Sequence, residues 1–209
     1  MPPPTQRKTN PKVVDGRARP KSRREPSPSL WTVQALALER DRPGRGFRHV
    51  LTRRELLAFF DLLPDWPALS RGLLGVRLTA RRDGADGLDT YSAEGAVISL
   101  VAWERDLTRT VAPAFFESHR ALFDRLGVPC ERHDGNRRLR FTVETLRAYQ
   151  LMHVFLHELG HQQDCMSTRR RRALGGGETY AEGWALKRVR EVRDRYEAVF
   201  DPLPSVRRS

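Results

Sequence analysis

The hydrophobic and polar positions of the chain follow two periods, one typical of helices and one typical of strands. In "SLWTVQALALERD", Trp31, Ala35 and Leu38 recur at helical spacing and predict a helix. In the segment that follows, the Thr52–Glu55 pair forms a capping-box pattern and Pro64 closes an apolar run. A second helix is therefore predicted between these two signals.

The middle of the chain has the shorter period. Val76, Leu78 and Ala80 alternate with polar residues, and "AVISLVAW" is short, apolar and rich in β-branched residues. Turn residues, mainly Gly and Asp, separate the two stretches, which predict two strands. "RRLRF", at residues 137–141, is a candidate for one more short strand.

Three more helices are predicted in the second half. In "APAFFESHRALFDRLGV" apolar residues repeat at helical spacing as far as Gly127, and Pro129 follows. A long helix is expected from about Thr142 or Val143, and a final one from about Glu178 to Phe200. Together the elements predict an α+β fold, in which a small, mostly antiparallel sheet lies beside two long helices.

Composition divides the chain into a domain and two tails. Its 209 residues are 39% apolar, which suffices for one compact core, and the net charge is +12. Residues 1–29 are rich in proline and basic residues and are expected to be disordered, 30–200 to form one domain, and 201–209 a C-terminal tail. The basic tail either only solubilises the protein or holds it nonspecifically on nucleic acid.

Cysteine content and hydropathy bear on the cellular compartment. Cys130 and Cys165 form no Cys-x-x-Cys pair, so neither a disulfide framework nor a thiolate zinc knuckle is indicated. The N-terminus lacks the apolar run of a signal peptide, and no stretch approaches the length of a membrane span. A soluble cytoplasmic protein is expected.

The stretch "LMHVFLHELGHQQD" is the strongest candidate for chemistry. On a helix, His157 and His161 lie about 6 Å apart along the axis and about 40° apart around it, so both can bind one ion, with Glu158 beside them. The apolar residues of the same helix project to the opposite side: Ala148, Leu151, Met152, Phe155, Leu156 and Leu159. A zinc site facing a cleft is therefore predicted.

A catalytic zinc usually has three protein ligands and one position open to water. The next predicted helix offers Glu178 and Glu182, and the glycines at 175–177 allow the chain to reverse before it. His153 and Cys165 continue the four-residue series, but each is about 12 Å along the axis from the far member of the pair. They are not expected to be ligands, and His153 is expected to pack or to form hydrogen bonds.

His157-Glu158-x-x-His161 followed by Glu178-x-x-Ala181-Glu182 resembles the gluzincin metallopeptidases, which have HEXXH and then E-x-x-A-D or E-x-x-x-D on a later helix. The nearest variant is the E-x-x-A-D of soluble relatives of the CAAX-prenyl-protease type. The resemblance covers residues 145–190 and implies a zincin-like fold, with His157, His161 and Glu178 as zinc ligands and Glu182 orienting a ligand histidine. Because Glu182 stands where those families carry Asp, Glu182 stays an alternative third ligand.

These residues predict a zinc-dependent peptidase. Glu158 would act as the general base toward the metal-activated water, and a peptide or protein would be the substrate. A further hydrogen-bond donor to the developing oxyanion has four candidates: Tyr91, Tyr149, Tyr180 and His153.

Two segments have open interpretations. By the same resemblance, residues 95–103 form an edge strand that pairs with an extended substrate; alternatively they form an ordinary core strand. The run Arg169–Arg172 is either a solvated loop or a mobile basic lip that favours acidic or phosphorylated substrates or nucleic acid.

Two other functions compete with the peptidase. The chain would be a catalytically inactive zincin-fold binding module, tethered to nucleic acid by its basic tail, or a metal hydrolase that acts on something other than peptides.

Overall fold

The computed structural model describes residues 36–81, 95–167, 177–200 and 202, together with the strand backbones at 12–14, 17–19 and 87–91. The chain divides into two compact units, Met1–Val33 and Gln34–Ser209. In the first unit β1 (Lys12–Val14) and β2 (Arg17–Arg19) pair antiparallel. The rest of the predicted tail at 1–29, and 201–209 apart from Pro202, lie outside the described residues, so their disorder stays a prediction.

The second unit combines helices with small sheets, as the α+β prediction requires. Its strands are β3 (Ala37–Arg40), β4 (Phe47–Arg48), β5 (Leu73–Thr79), β6 (Gly87–Tyr91), β7 (Ala96–Val101), β8 (Trp103–Glu104), β9 (Thr108–Val111), β10 (Cys130–His133) and β11 (Asn136–Arg140). Its helices are α1 (Arg53–Leu62), α2 (Trp66–Leu69), α3 (Pro113–Arg125), α4 (Val143–Ala148), a π-helical segment (Tyr149–Phe155), α5 (Leu156–Ser167) and α6 (Gly177–Val199).

The largest sheet among the described residues is mixed, and this corrects the prediction of a mostly antiparallel one. Its strand order is β3-β5-β7-β6, with β3, β5 and β7 parallel and β6 antiparallel to β7. Parallel neighbours require crossover connections, and the segment between β3 and β5 contains α1 and α2. The smaller sheets, β10-β11-β9 and β4-β8, are antiparallel.

Strand β7 is internal, so residues 95–103 do not form the sheet edge. It pairs with β5 on one side and β6 on the other, and Ile98 and Leu100 are completely buried. The core-strand interpretation is confirmed, and the edge-strand interpretation is wrong.

The helix predicted from Trp31, Ala35 and Leu38 is also wrong where the structure describes it, because Ala37–Arg40 is strand β3. Leu36 and Leu38, two residues apart, are half-buried and pack against the core, while Ala37 between them is exposed. This is the period of a strand. Pairing with β5 therefore overrides the weak helical spacing.

The other helix predictions are confirmed. Helix α1 begins at the Thr52–Glu55 capping box and ends at Leu62, before Pro64. Helix α3 ends at Arg125, and Gly127 follows with φ +64°. None of the described helices combines the length and the apolar character needed to cross a membrane.

The long helix starts as predicted, at the N-cap Thr142, but seven residues in its middle are π-helical. The six apolar residues expected on the side away from His157 are all at most 4% exposed. Gln150, in the π-helical segment, donates from Nε2 to the Val101 carbonyl at 2.9 Å. This bond ties the helix to the end of β7.

Candidate metal centre

Two small residues determine how closely α5 and α6 approach. A methyl group added at Gly160 would lie 2.9 Å from both the Cα and the carbonyl oxygen of Ala181. Ala181 is itself completely buried. The backbones of the two helices are therefore in direct contact at Gly160 and Ala181, which we call the crossing point.

The crossing point places four polar side chains together. His157 and His161 lie three residues before and one residue after Gly160, and Glu178 and Glu182 hold the same positions relative to Ala181. In an α-helix, positions four apart share a face. Each helix therefore turns a pair of potential ligands toward the pair on the other.

His157, His161 and Glu178 converge so that one ligand atom from each lies within 4.8 Å of the others. The two Nε2 atoms are 3.1 Å apart, and the Glu178 carboxylate lies 3.2 Å from His157 Nε2 and 3.5 Å from His161 Nε2. Tetrahedral zinc with bonds of about 2.0–2.2 Å holds its ligand atoms about 3.3–3.6 Å apart. The donor types suit this ion, and the two Nε2 atoms lie close to this spacing, while the two Glu178 distances are to different oxygens, Oε2 and Oε1.

Glu182 faces the other side of His157. Its Oε2 lies 3.5 Å from His157 Nδ1, an ion-pair separation that is long for a hydrogen bond. As an acceptor facing the ring, Glu182 raises the pKa of His157 more than burial lowers it, and the charges of Glu158 and Glu178 add to the rise. The position is that of a carboxylate that orients a ligand histidine through its second nitrogen.

Helix α6 begins at Gly177, directly beside His161. A methyl group here would lie 3.1 Å from His161 Nδ1, tighter than ordinary contact, so a larger residue would press on the ring. Glu178 follows in the first turn, where the helix dipole stabilises a negative charge. Its side chain is 80% exposed, so the carboxylate lies on the solvent side of the centre.

The centre opens into a cleft of about 640 Å³. Besides α5 and α6, its wall includes β9, α3, the π-helical segment and the loop after β5. The lining residues are Arg81, Arg109, Thr110, Val111, Ala112, Phe115, His119, Tyr149, His153, Val154, His157, Glu158, Glu178 and Glu182. Glu158 thus faces the same space as His157 and Glu178, two of the three converging groups.

The four candidate hydrogen-bond donors to the oxyanion differ in whether they line the cleft. Tyr149 and His153 line the cleft, whereas Tyr180 is 41% exposed on α6 and is not part of the wall. The side chain of Tyr91 lies outside the described residues. Burial raises the pKa of Tyr149, so its hydroxyl keeps its proton at neutral pH.

His153 lies among aromatic rings, with ring-centre separations of 5.4 Å to Tyr149, 5.8 Å to His119 and 6.1 Å to His157. Burial lowers the pKa of His153 to about 4, although the charge of Glu182 opposes the shift. The imidazole is therefore neutral at pH 7 and can donate one N–H without carrying charge.

The π-helical segment helps to bring Tyr149, His153 and His157 to one wall. On a regular α-helix each step of four residues advances about 40°, so residues eight apart have drifted well round the axis. A turn with i→i+5 hydrogen bonds contains more residues, and a step of four then falls short of a full turn. The rotation around the axis in the π-helical turn is therefore opposite in sense to that in the α-helix. The two rotations partly cancel, and the three side chains stay near one face of the helix.

Four polar or aromatic residues of the lining were not predicted from the sequence to belong to the site: Arg81, Arg109, Phe115 and His119. They come from the loop after β5, from β9 and from α3, and no fixed spacing connects them to the histidines. The basic run Arg169–Arg172 lies outside the described residues.

Comparisons with models of protein families, with characterised proteins and with solved structures found no match to this chain.

Proposed function

We propose that this protein is a zinc-dependent metallopeptidase with a zincin-like fold of the gluzincin type. The observation that supports this most directly is the convergence of His157, His161 and Glu178 at zinc-ligand spacing, beside Glu158, in an open cleft. Three protein ligands is the number usual for catalytic zinc, and His157, His161 and Glu178 would supply them.

A zinc ion bound here would lower the pKa of its water to about 7 and polarise a substrate carbonyl. Glu158 takes the proton of the attacking water and delivers it to the leaving amine. Glu182 keeps the His157 ring in position. Two of the candidate donors toward the developing oxyanion line the cleft wall: His153, which is neutral, and Tyr149.

The position of β6 supports a peptide as the substrate. Within the described part of the sheet, β6 pairs with β7 alone, so its other edge offers backbone N–H and C=O groups to an extended chain. The backbone of β6 also approaches that of α5. Strand pairing with substrate is therefore proposed for β6 instead of residues 95–103.

The test uses the zinc content and the proteolytic activity of purified protein. We expect about one zinc per chain and cleavage of an unfolded protein such as denatured casein. Glu158→Gln should keep its zinc and lose activity by about 10²–10⁴-fold, which is the usual contribution of a general base. Glu39→Gln, on β3 and outside the cleft, is the matched control and should behave like the wild type.

Two results would contradict the proposal. Full activity of Glu158→Gln would remove Glu158 from the mechanism. Absence of zinc from protein supplied with the metal would remove the centre itself.

A further inference from the structure

The part of the cleft wall formed by the end of β9 and the start of α3 contains an exposed aromatic side chain. Thr110, Val111 and Ala112 are small or medium-sized and uncharged, and Phe115 follows in the first turn of α3. This segment lies outside residues 145–190, to which the gluzincin resemblance is confined. The wall is therefore a separate source of evidence about the substrate.

Phe115 is exposed, unlike the neighbouring aromatic residues of α3. It is 36% exposed, whereas Phe116 and Phe123 are buried in the core. The large apolar residues that are exposed within the described part of the chain are Leu57, Phe115, Met166, Tyr180 and Val199. Of these, Phe115 is the one that lines the cleft. Apolar surface inside a cleft is typical of a ligand-binding site, whereas single apolar residues elsewhere on a surface are common.

The ring of Phe115 is supported by His119, about one helical turn further along α3. The two rings stack with their centres 4.2 Å apart and an angle of 22° between their planes. His119 Nδ1 lies 2.9 Å from the Phe115 carbonyl oxygen, which can only accept, so Nδ1 carries a proton and donates it. The Ser118 hydroxyl donates to the same carbonyl at 2.8 Å. The imidazole is therefore fixed in orientation and covers one face of the Phe115 ring.

The open surface of Phe115 is the side of the ring away from His119. A third ring, that of the buried Phe123, has its centre 6.4 Å from Phe115 and 6.2 Å from His119. Because neighbouring rings hold Phe115 in place, little side-chain entropy remains to be lost when a ligand covers it. An aromatic group matches a flat ring in shape, and ring pairs attract each other beyond the effect of the area that they bury.

Phe115 is close enough to the metal centre for one peptide to reach both. The His119 ring lies 5.8 Å from that of His153, which lies 6.1 Å from that of His157. Phe115 is thus three ring-to-ring steps from a candidate zinc ligand. An extended peptide advances about 3.3–3.6 Å per residue, so about five residues cover this distance.

We propose that Phe115 is the specificity-determining residue of an aromatic subsite, so that the preferred substrates are peptides with a Phe, Tyr or Trp within about five residues of the scissile bond. This deepens the proposed function and rests on it. The substrate ring stacks on the open side of Phe115 while the scissile carbonyl lies at the histidine end of the cleft. His119 acts through Phe115 and is a positioning residue.

The test measures peptide binding to Glu158→Gln supplied with zinc, because this variant is expected to bind substrate without cleaving it. The probes are fluorescein-labelled octapeptides of Ser and Gln in which one position, moved along the peptide, is Phe, Leu, Ala or Lys. Fluorescence anisotropy gives each Kd. Leu separates stacking from simple apolar burial, and Lys separates it from the attraction of a cation to the ring.

We expect Phe to bind about 10- to 100-fold more tightly than Ala at one position or more, which is the range for burying a large apolar side chain, with Leu between them. Adding Phe115→Ala should bring this ratio close to one and leave the Kd of the Ala peptide unchanged, while Phe115→Trp should keep the ratio. His119→Ala should lower the ratio and His119→Phe should restore part of it, because a ring again supports Phe115.

Leu57→Ala is the matched control. Leu57 is also an exposed apolar residue, but it lies on α1 and is not part of the cleft wall. The ratio of Phe to Ala binding should therefore be unchanged in this variant.

The outcomes separate the two proposals. Equal binding of all peptides, no binding, or a preference for Leu or Lys over Phe overturns the aromatic subsite, as does a Phe preference that survives Phe115→Ala. A preference that depends on Phe115, combined with no cleavage of the same peptides by the wild type, supports the subsite and overturns the peptidase. Cleavage by the wild type that is equally fast with Phe and Ala peptides, without a difference in binding, supports the peptidase and overturns the subsite.

Discussion

Glu178 and Glu182 are chemically identical side chains with different surroundings at the centre. Glu178 approaches both Nε2 atoms, whereas Glu182 approaches Nδ1 of His157. We expect Glu182→Gln to weaken zinc binding by about 10- to 100-fold, as loss of a group that orients a ligand does, and Glu178→Gln to weaken it further. Competition with a chromogenic chelator measures both. The reverse order would make Glu182 the third ligand.

Local spacing in the sequence accounts for part of the candidate centre, whereas the preference for Glu178 over Glu182 came from the family resemblance. His157, Glu158 and His161 are related by spacing on one helix, which depends only on local geometry. The choice between Glu178 and Glu182 depends on where α5 and α6 cross, which is a tertiary property. Arg109 reaches the cleft from β9, and no local pattern could show that.

His49 gives a pH dependence that is independent of the centre. Its Nε2 donates to the Asp41 carbonyl at 3.0 Å, but burial lowers the pKa of His49 below 6.5 despite this bond. The unfolded chain therefore takes up the proton first as the pH falls, and the folded state loses stability between pH 6.5 and the folded pKa. This loss is absent above pH 6.5.

We expect the stability difference between wild type and His49→Gln to shrink as the pH is lowered from 7.5 to 5. Urea unfolding of the metal-free proteins at both pH values measures it, because metal-free protein removes the linkage between zinc and protons. A difference that stays constant with pH would show that His49 does not contribute in this way.

At the scale of the elements, the candidate centre depends on close contact between α5 and α6. Gly160→Ala brings a methyl group to 2.9 Å from the backbone of Ala181, so the helices must separate. We expect a loss of about 1–3 kcal/mol, as for other overpacked interiors, together with weaker zinc binding. Thermal and urea unfolding, with a zinc titration, measure the two effects.

Gly183 offers a matched control on α6. It is exposed, and an added methyl group meets no atom within 4 Å. Gly183→Ala should therefore stabilise the protein by about 0.5–1 kcal/mol, because alanine loses less backbone entropy in a helix interior. If Gly160→Ala also stabilised the protein, the crossing point would not depend on close backbone contact.

The helices were easier to predict than β3 and the π-helical segment, for a physical reason. Caps, glycine stops and apolar stripes act within a few residues, as at Thr52, Thr142 and Gly127. β3 is four residues long and exists through its parallel partner β5. The wider helical turn at 149–155 interrupts a sequence with ordinary helical spacing, so its position depends on packing around it.

At the scale of the whole molecule, strand order follows from pairings between distant segments. β7 becomes internal because β6 folds back on its outer side, and β6 was not recognised as a strand in the sequence. The apolar character of "AVISLVAW" agrees with a strand that is covered on both faces and lies inside a mixed sheet. From the sequence alone, a core strand and an edge strand were equally favoured for residues 95–103.

The positive charge is distributed unevenly along the chain. Residues 1–33 contain eight Lys and Arg against Asp15 and Glu25, a net +6, which is half of the +12 of the chain. Every residue of the hydrophobic core lies between Leu51 and Tyr196 among the described residues. A chain lacking 1–33 should therefore keep the core and the centre while losing half of the charge.

We expect this truncated chain to cleave a neutral peptide with kcat/KM within about two-fold of the full chain, while nonspecific DNA binding weakens. If all six net charges contact phosphate, the slope of log K against log salt falls by about 5, and less if some do not. A full-length variant with the eight basic residues changed to Gln controls for the loss of chain length. Unchanged DNA binding would place the nucleic-acid contact, if any, in residues 34–209. Loss of peptide cleavage in the truncated chain, but not in the Gln variant, would show that residues 1–33 contribute to the active site through something other than charge.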